Sequence, residues 1–447
     1  MLLFRRLLHG LTPTNGAISP LIRVFLFFVA LFFCLTLYAR SLSSHDPGSA
    51  FFKPWSAYDA DYSSLRAEQG DSYIDLVNNG TLSTPPKASS QPELCIGIAS
   101  IARQGVRYLR TTVGTVLEGL SEQERANIHL ILFIAHTNAS EHPAYSEPWL
   151  HKVPDQVLLY NPDEVDVRHI ASLETDEAKS AGREKALFDY TYLLKACEAS
   201  NAPYTLMLED DVIALDGWHH RTQNALASAE KQTKTIGASK WLYLRLFYTE
   251  EFLGWNSEEW PTYLFYSILT SVLVACAFLG ARKYKPRFAA TLSNEVILLV
   301  SCICTPILVG LFFATGRATM LPIPDGVHQM PRFGCCSQAL IFPRTRIPDL
   351  VKLYEDKHLG YVDMITEEYA NENQEIRWAI TPAVVQHAGR RSSKGTFTNN
   401  DGPYVPPRHK SKSELSDVEK LWNFRFETLD SNALRAEHDR FIKYGLD

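Results

Sequence analysis

Two long apolar runs in the middle of the chain limit what it can fold into. They are Tyr263 to Gly280, "YLFYSILTSVLVACAFLG", and Val296 to Thr315, "VILLVSCICTPILVGLFFAT". Each is nearly free of charge and approaches the length that crosses a bilayer, so a pair of buried core helices fits them less well. Between them lies "ARKYKPRFAATLSNE", with Arg282, Lys283, Lys285 and Arg287. A basic linker of this kind stays on the cytosolic side, which predicts a membrane hairpin. A third run, Val24 to Ala39, follows Arg5, Arg6 and Arg23 and spans roughly 24 Å as a helix. It ends in "YARSLS", a poor cleavage site, so it reads as an uncleaved signal anchor.

The two charge constraints agree. Residues 1–20 form a cytosolic tail, 21–40 the anchor and 41–92 a luminal stem rich in Ser, Asp, Gly and Pro. Residues 93–262 are the first part of a folded luminal domain, 263–315 the hairpin, and 316–447 the second part with a C-terminal helix. Both pieces face one compartment and can form one domain. Trp255, Trp260 and Tyr263 suit its membrane interface. Asn79-Gly80-Thr81 and Asn138-Ala139-Ser140 are glycosylation sequons on the same side. Cys95, Cys197, Cys335 and Cys336 are luminal and admit three full pairings, between which spacing does not choose. None has zinc spacing. A net charge of −6 gives no footprint for nucleic acid.

Outside the apolar runs, short apolar segments alternate with helical patterns, as in an α/β sheet. "LCIGIAS", "NIHLILFIAHT", "QVLLYN", "WLYLRLFYTE" and "GCCSQALIFPR" read as strands, and "WAITPAVVQHAG" as a last strand ending in His387. "REKALFDYTYLLKACEAS" reads as an amphipathic helix with Ala186, Tyr190, Leu193, Leu194 and Cys197 inward. Residues 395–416 read as loop, and "VEKLWNFRFETL" as a helix anchored by Trp422 and Phe426.

One strand ends unusually. In "YTLMLEDDVIALDGW", Leu206, Met207 and Leu208 lead straight into Glu209, Asp210 and Asp211. Carboxylates about 4 Å apart repel by roughly 4 kcal/mol at an effective dielectric of about 20. A solvated acidic turn would relieve this, and so would a hard cation such as Mn²⁺ or Mg²⁺. Ligands of open α/β sheets bind at the carboxyl ends of strands, where these acids fall.

The acidic triplet, the late "QHAGRRSSKG" and the hairpin inside the domain together resemble the post-GPI-attachment N-acetylgalactosamine transferase family, in its fungal branch. The resemblance covers residues 94 to about 395 and the three-span layout. It implies a GT-A-like glycosyltransferase domain in the Golgi membrane, catalytic side luminal. A UDP-sugar would be the donor, and the GPI glycan of anchored proteins the acceptor. It also implies that Asp211 binds Mn²⁺ (or Mg²⁺), that Glu209 contacts the metal or the ribose, and that Asp210 assists. Glu209 departs from the commoner Asp at that position, which puts its reach in question. His387 would complete the metal site, with Arg390, Arg391 and Lys394 on the diphosphate and Arg103 near the nucleotide. Asp189 and Tyr190 are candidates to face the nucleobase, Tyr190 being equally a core residue. Arg245, within a strand, must pair with an acid or face the site. If the reaction inverts, a carboxylate deprotonates the acceptor hydroxyl. Asp363 is the candidate, with Glu367 and Glu368 as rivals. Alternative readings are a transferase for another luminal acceptor such as N-glycans, and a catalytically silent binding module.

Overall fold

A computed structural model of the chain describes residues 19–103, 107–176, 178–285, 291–330, 335–389 and 420–445. Arg5, Arg6, Arg287, Arg390, Arg391, Lys394 and the 395–416 segment lie outside the described residues. The chain forms two compact units, Met1–Ala57 with Glu250–Ile323, and Tyr58–Thr249 with Pro324–Asp447.

Among the described residues, the smaller unit holds three helical segments long and apolar enough to cross a membrane: Pro20–Leu42, Glu250–Tyr284 and Asn294–Thr315. Much of their apolar surface points outward, with Phe27 70% and Phe265 61% exposed. The inward contacts join Phe28 to Leu299 and Cys304. Trp255 donates its indole N–H to the Phe313 carbonyl at 3.0 Å and packs against Tyr263 and Phe313.

The larger unit is built on an eight-stranded mixed sheet. Its strands, together with a separate two-stranded sheet of β5 and β10, are β1 (Leu94–Ser100), β2 (Ile128–Ile134), β3 (Gln156–Leu158), β4 (Tyr204–Glu209), β5 (Val212–Ala214), β6 (Tyr243–Arg245), β7 (Gly326–Gln329), β8 (Ala339–Pro343), β9 (Arg377–Thr381) and β10 (Val385–His387). The order across the large sheet is β3-β2-β1-β4-β8-β6-β9-β7. β3, β2, β1 and β4 run parallel, and β8 lies antiparallel between β4 and β6. Strands from before and after the apolar hairpin therefore interleave in one sheet. The segment read as one last strand is two, broken at Pro382, which has no N–H to give a ladder.

The central strands are apolar on both faces, as a covered sheet requires. Ile96, Leu130 and Leu206 enter one core, and Cys95, Ile131 and Met207 the other. Helices cover both faces: α1 (Tyr62–Asn78), α2 (Tyr108–Leu117), α3 (Lys179–Ala199), α4 (Trp218–Thr235), α5 (Ile347–Lys357), α6 (Val362–Glu372) and α7 (Ser431–Tyr444). A Cys95–Cys197 disulfide ties β1 to α3, and Cys335 pairs with Cys336. On α3 the buried side includes Lys185 and Asp189, whereas Ala186 and Tyr190 are half-buried.

Two segments differ from their sequence reading. Part of the stem, α1, is folded into the larger unit, with Ile74 and Val77 buried. α1 crosses α2 so closely that a Cβ on Gly114 would stand 2.2 Å from the Gly70 carbonyl oxygen, so both positions exclude a side chain. Trp422 and Phe426 are buried as expected, but residues 420–425 are not helical, and the C-terminal helix begins at Ser431. Gln386 holds the segment extended: its amide accepts from the Asn423 N–H at 3.0 Å and donates to the Asn423 carbonyl at 2.9 Å. Those backbone groups are thereby withdrawn from a helix ladder.

Candidate active site

The acidic triplet sits at the carboxyl end of β4, near the centre of the sheet. The Glu209 N–H donates to the Gln338 carbonyl (3.0 Å), the last rung between β4 and the approach to β8. The chain then turns into β5. Two threonines of α2 hold that turn: Thr112 accepts the Val212 N–H (3.2 Å) and donates to the Asp210 carbonyl (2.7 Å), while Thr115 accepts the Ala214 N–H (3.1 Å). Buried Arg66 donates to the Ala214 carbonyl at 3.1 Å and fixes β5 from α1.

Asp210 and Asp211 lie in the turn between β4 and β5, and their side chains engage different partners. The Asp210 side is fully satisfied. Arg103 donates to both its carboxylate oxygens at 2.7 Å, and Ser100 donates at 2.5 Å. Ser100 in turn lies 3.0 Å from His142 Nε2, and His142 Nδ1 accepts the Ala144 N–H at 3.2 Å. Burial pushes His142 down to about 4, with His136 and Arg103 adding to the effect, so it is neutral and donates from Nε2. Burial raises the Asp210 carboxyl, against Arg103, which favours its charge.

The other side is different. β5 pairs antiparallel with β10, setting Val212 opposite His387 and bringing His387 Nε2 to 3.7 Å from Asp211 Oδ2. Glu209, Asp211 and His387 each present a ligand atom within 4.8 Å of the others, the one group of three such residues among those described. Asp211 Oδ1 is buried without a hydrogen-bond partner among the described residues. Glu209 accepts from Ser337 at 2.7 Å. Burial, then the neighbouring Asp211 charge, pushes Glu209 up to about 7. Burial opposes charge on both Asp211 and His387, but their mutual attraction outweighs it, holding Asp211 low and His387 high. A backbone hydrogen bond with Leu421 further favours His387. A Cβ on Gly389 would stand 2.2 Å from Asp211 Oδ2 and 2.7 Å from His387 Nε2, so only glycine leaves room beside the pair.

These residues fit a divalent cation. Two carboxylates and an imidazole are the donor set of a borderline ion such as Mn²⁺, and a buried, unpartnered carboxylate oxygen is what such an ion would satisfy. The backbone bond at Leu421 is the kind that orients a ligating histidine.

The remaining candidates separate clearly. Asp363 is half-buried in the first turn of α6, where it accepts the Met364 N–H (2.9 Å). Its charge acts on Glu209 and Tyr190. Glu367 is buried between Arg245 (3.0 Å) and Arg377 (2.8 Å) and is not poised to take a proton. This also settles Arg245, which pairs with an acid. Glu368 is exposed and pairs with Lys357 at 3.1 Å. Asp189 is engaged with Lys185 (2.7 Å) and Tyr160 (2.5 Å), which removes it from a nucleobase. Sequence reasoning missed Ser100, His142, Thr112, Ser337 and Gly389. Ser100 ends β1 and Ser337 precedes β8, and both become visible only once β1 and β8 are known to flank β4.

A sequence model of the family described as GPI-N-acetylgalactosamine transferase PGAP4 matches residues 94–386, from the start of β1 almost to the end of β10. The chain belongs to that family. Membership in the PGAP4 family places it among the glycosyltransferases. It is also similar to alpha-1,3-mannosyl-glycoprotein 4-beta-N-acetylglucosaminyltransferase C. The identity is 25% over 162 residues to the Macaca fascicularis protein and 26% over 161 to that of Mus musculus. Each match covers 34% of this chain, which spans about a third (32%) of each relative's length.

Proposed function

We propose that the chain transfers a sugar, N-acetylgalactosamine, from a UDP-sugar to the mannose core of GPI anchors. The observation that carries this reading is the buried Glu209–Asp211–His387 group, with its unpartnered carboxylate oxygen, in a PGAP4-family chain. The acids lie at the end of a central parallel strand, as a GT-A-like glycosyltransferase domain requires.

In this reading Asp211, Glu209 and His387 hold Mn²⁺ or Mg²⁺, which when bound offsets charge on the diphosphate leaving group. Arg103, already held against Asp210, presents its guanidinium 4.0 Å from Asp211 Oδ2, on the flank where a diphosphate would lie. Arg390 and Lys394 follow the His387 strand closely in sequence and are further phosphate partners. Asp363 takes the proton of the acceptor hydroxyl, and the reaction inverts. The three apolar helices embed the protein in the Golgi membrane with its larger unit luminal, where the acceptor is itself lipid-anchored. Confining both to one surface raises their effective concentration. Asn79 and Asn138 are both exposed, as luminal glycosylation requires.

The test is mass spectrometry of GPI glycans from cells lacking the gene, complemented with wild type or Asp211→Ala. Loss of an N-acetylhexosamine that only wild type restores is expected. Similarity to an N-acetylglucosaminyltransferase favours a second reading, transfer to N-glycans. Unchanged GPI glycans with lost N-glycan branches would establish that instead.

A further inference from the structure

Glu209 is held by the two residues that directly follow a disulfide. Cys335 and Cys336 are bonded to each other. The next residue, Ser337, donates its hydroxyl to the Glu209 carboxylate at 2.7 Å, and Gln338 accepts the Glu209 N–H at 3.0 Å. The turn that carries the bond is itself anchored. The Cys335 and Cys336 carbonyls both accept from Arg245 Nη1, the latter at 2.5 Å. Arg245, on β6, pairs with buried Glu367 at 3.0 Å, and Glu367 with Arg377 of β9 at 2.8 Å.

Two observations say what the bond does. In an extended chain successive carbonyls point to opposite sides, whereas here both reach one guanidinium nitrogen. Cys336 has φ 119°, a conformation that a residue with a Cβ rarely enters. Closing a ring over a single peptide unit favours such a turn, and a free pair of thiols would relax from it. The bond is also a poor staple. A disulfide stabilises a fold mainly by closing a long loop in the unfolded chain. Cys95 and Cys197 stand 102 residues apart and do this, whereas Cys335 and Cys336 are neighbours and constrain almost nothing beyond their own turn. The effect of the second bond is therefore local, on the turn and on what the turn holds.

We propose that the Cys335–Cys336 disulfide is a positioning element for the cation group: it shapes the turn that keeps Ser337 on Glu209, and opening it loosens the site while the fold stands. This rests on the proposed function. Cys335 is half-buried and within reach of a reductant, whereas Cys95 and Cys197 are fully buried. A dithiol opens the bond by exchange: the S–S bond breaks, both sulfurs take up protons as thiols, and the reagent closes its own disulfide.

The experiment titrates Mn²⁺ into intact, detergent-solubilised protein before and after mild dithiothreitol treatment, the reagent being removed without air. The conditions are those at which alkylation mapping labels Cys335 and Cys336 but neither Cys95 nor Cys197. Wild type, Ser337→Ala and the double variant Cys335→Ser/Cys336→Ser are compared, each with a thermal melt. Reduction is expected to weaken Mn²⁺ about tenfold in wild type, and Ser337→Ala to weaken it about 10- to 100-fold, as loss of a group that orients a ligand does. The double variant should bind Mn²⁺ as reduced wild type does, and reduction should add nothing in either variant. If reduction lowers the melting temperature but leaves Mn²⁺ affinity unchanged, or weakens Mn²⁺ equally in Ser337→Ala, the positioning role is overturned. Alkylation of Cys335 and Cys336 without reductant would overturn it too. If wild type binds no Mn²⁺ in either state, the cation reading itself fails, and this inference with it.

Discussion

The two sides of the triplet offer a comparison inside three consecutive residues. Asp210 has every oxygen engaged, by Arg103 and Ser100, in a chain that continues to His142. Asp211 has one oxygen unpartnered among the described residues, a histidine just beyond hydrogen-bond distance, and the same Arg103 only at 4.0 Å. Equal chemistry has been given unequal satisfaction. The satisfied acid holds the strand end to its neighbours, whereas Asp211 keeps a buried oxygen without a partner among the described residues, which in the proposed function is where a cation would bind.

The comparison can be broken most sharply by exchanging the two acids' fates. Asp211→Ala should lower sugar transfer about 10²–10³-fold, measured as UDP release. Asp211→Asn removes a charge that repels Glu209 but also attracts His387, so without added metal it should cost less stability than Arg103→Ala. Arg103→Ala should cost about 3 kcal/mol in denaturant unfolding, because Asp210 is left charged and buried. Asp210→Asn in the same chain should recover much of that loss. If Asp211→Asn proves as destabilising as Arg103→Ala, the two sides are not different in kind.

A pH series sharpens the contrast at smaller amplitude. Glu209 holds its proton up to about 7, against an ordinary 4.5. A carboxyl raised in the folded state contributes stability that is complete below its ordinary value and lost as pH rises through the folded value. The metal-free protein should therefore lose melting temperature between about pH 5 and 8, while Mn²⁺ binding, which needs the carboxylate, tightens over the same range. In Asp211→Asn the window should move down, since one cause of the shift is gone. The smallest effect belongs to Glu368→Gln, an exposed acid that pairs with Lys357. It should change stability by less than about 0.5 kcal/mol and leave transfer unaltered.

Much of this architecture is legible in the sequence, for identifiable reasons. Strands such as "NIHLILFIAHT" are apolar throughout because both faces are covered, and that pattern survives without any structure. That Glu209, Asp211 and His387 converge was readable because the expected cation chemistry restricts residue type. Ser100 and Ser337 were not readable, since a serine at a strand end looks like any other until sheet order sets it beside β4. Asp189 misled because a helix-face acid and a buried partner of Lys185 look alike in one dimension. α1 was hidden by composition: "YSSLRAEQGDSYIDLVN" is polar enough to pass for a stem, yet it is held by a buried arginine and a glycine contact.

The interleaving of the large sheet fixes an order of assembly. β1 to β4 and their helices are made first and can pair locally, so the carboxylates exist early in synthesis. Leu206 finds its partner Ile341 only after both internal apolar helices have been translated. His387 comes later still. Until then the sheet carries an open edge at β4, the kind of edge that recruits other chains. Convergence of Glu209, Asp211 and His387 thus requires that both internal apolar helices have already been made, and a product truncated within them would be an aggregation-prone half-sheet that lacks His387.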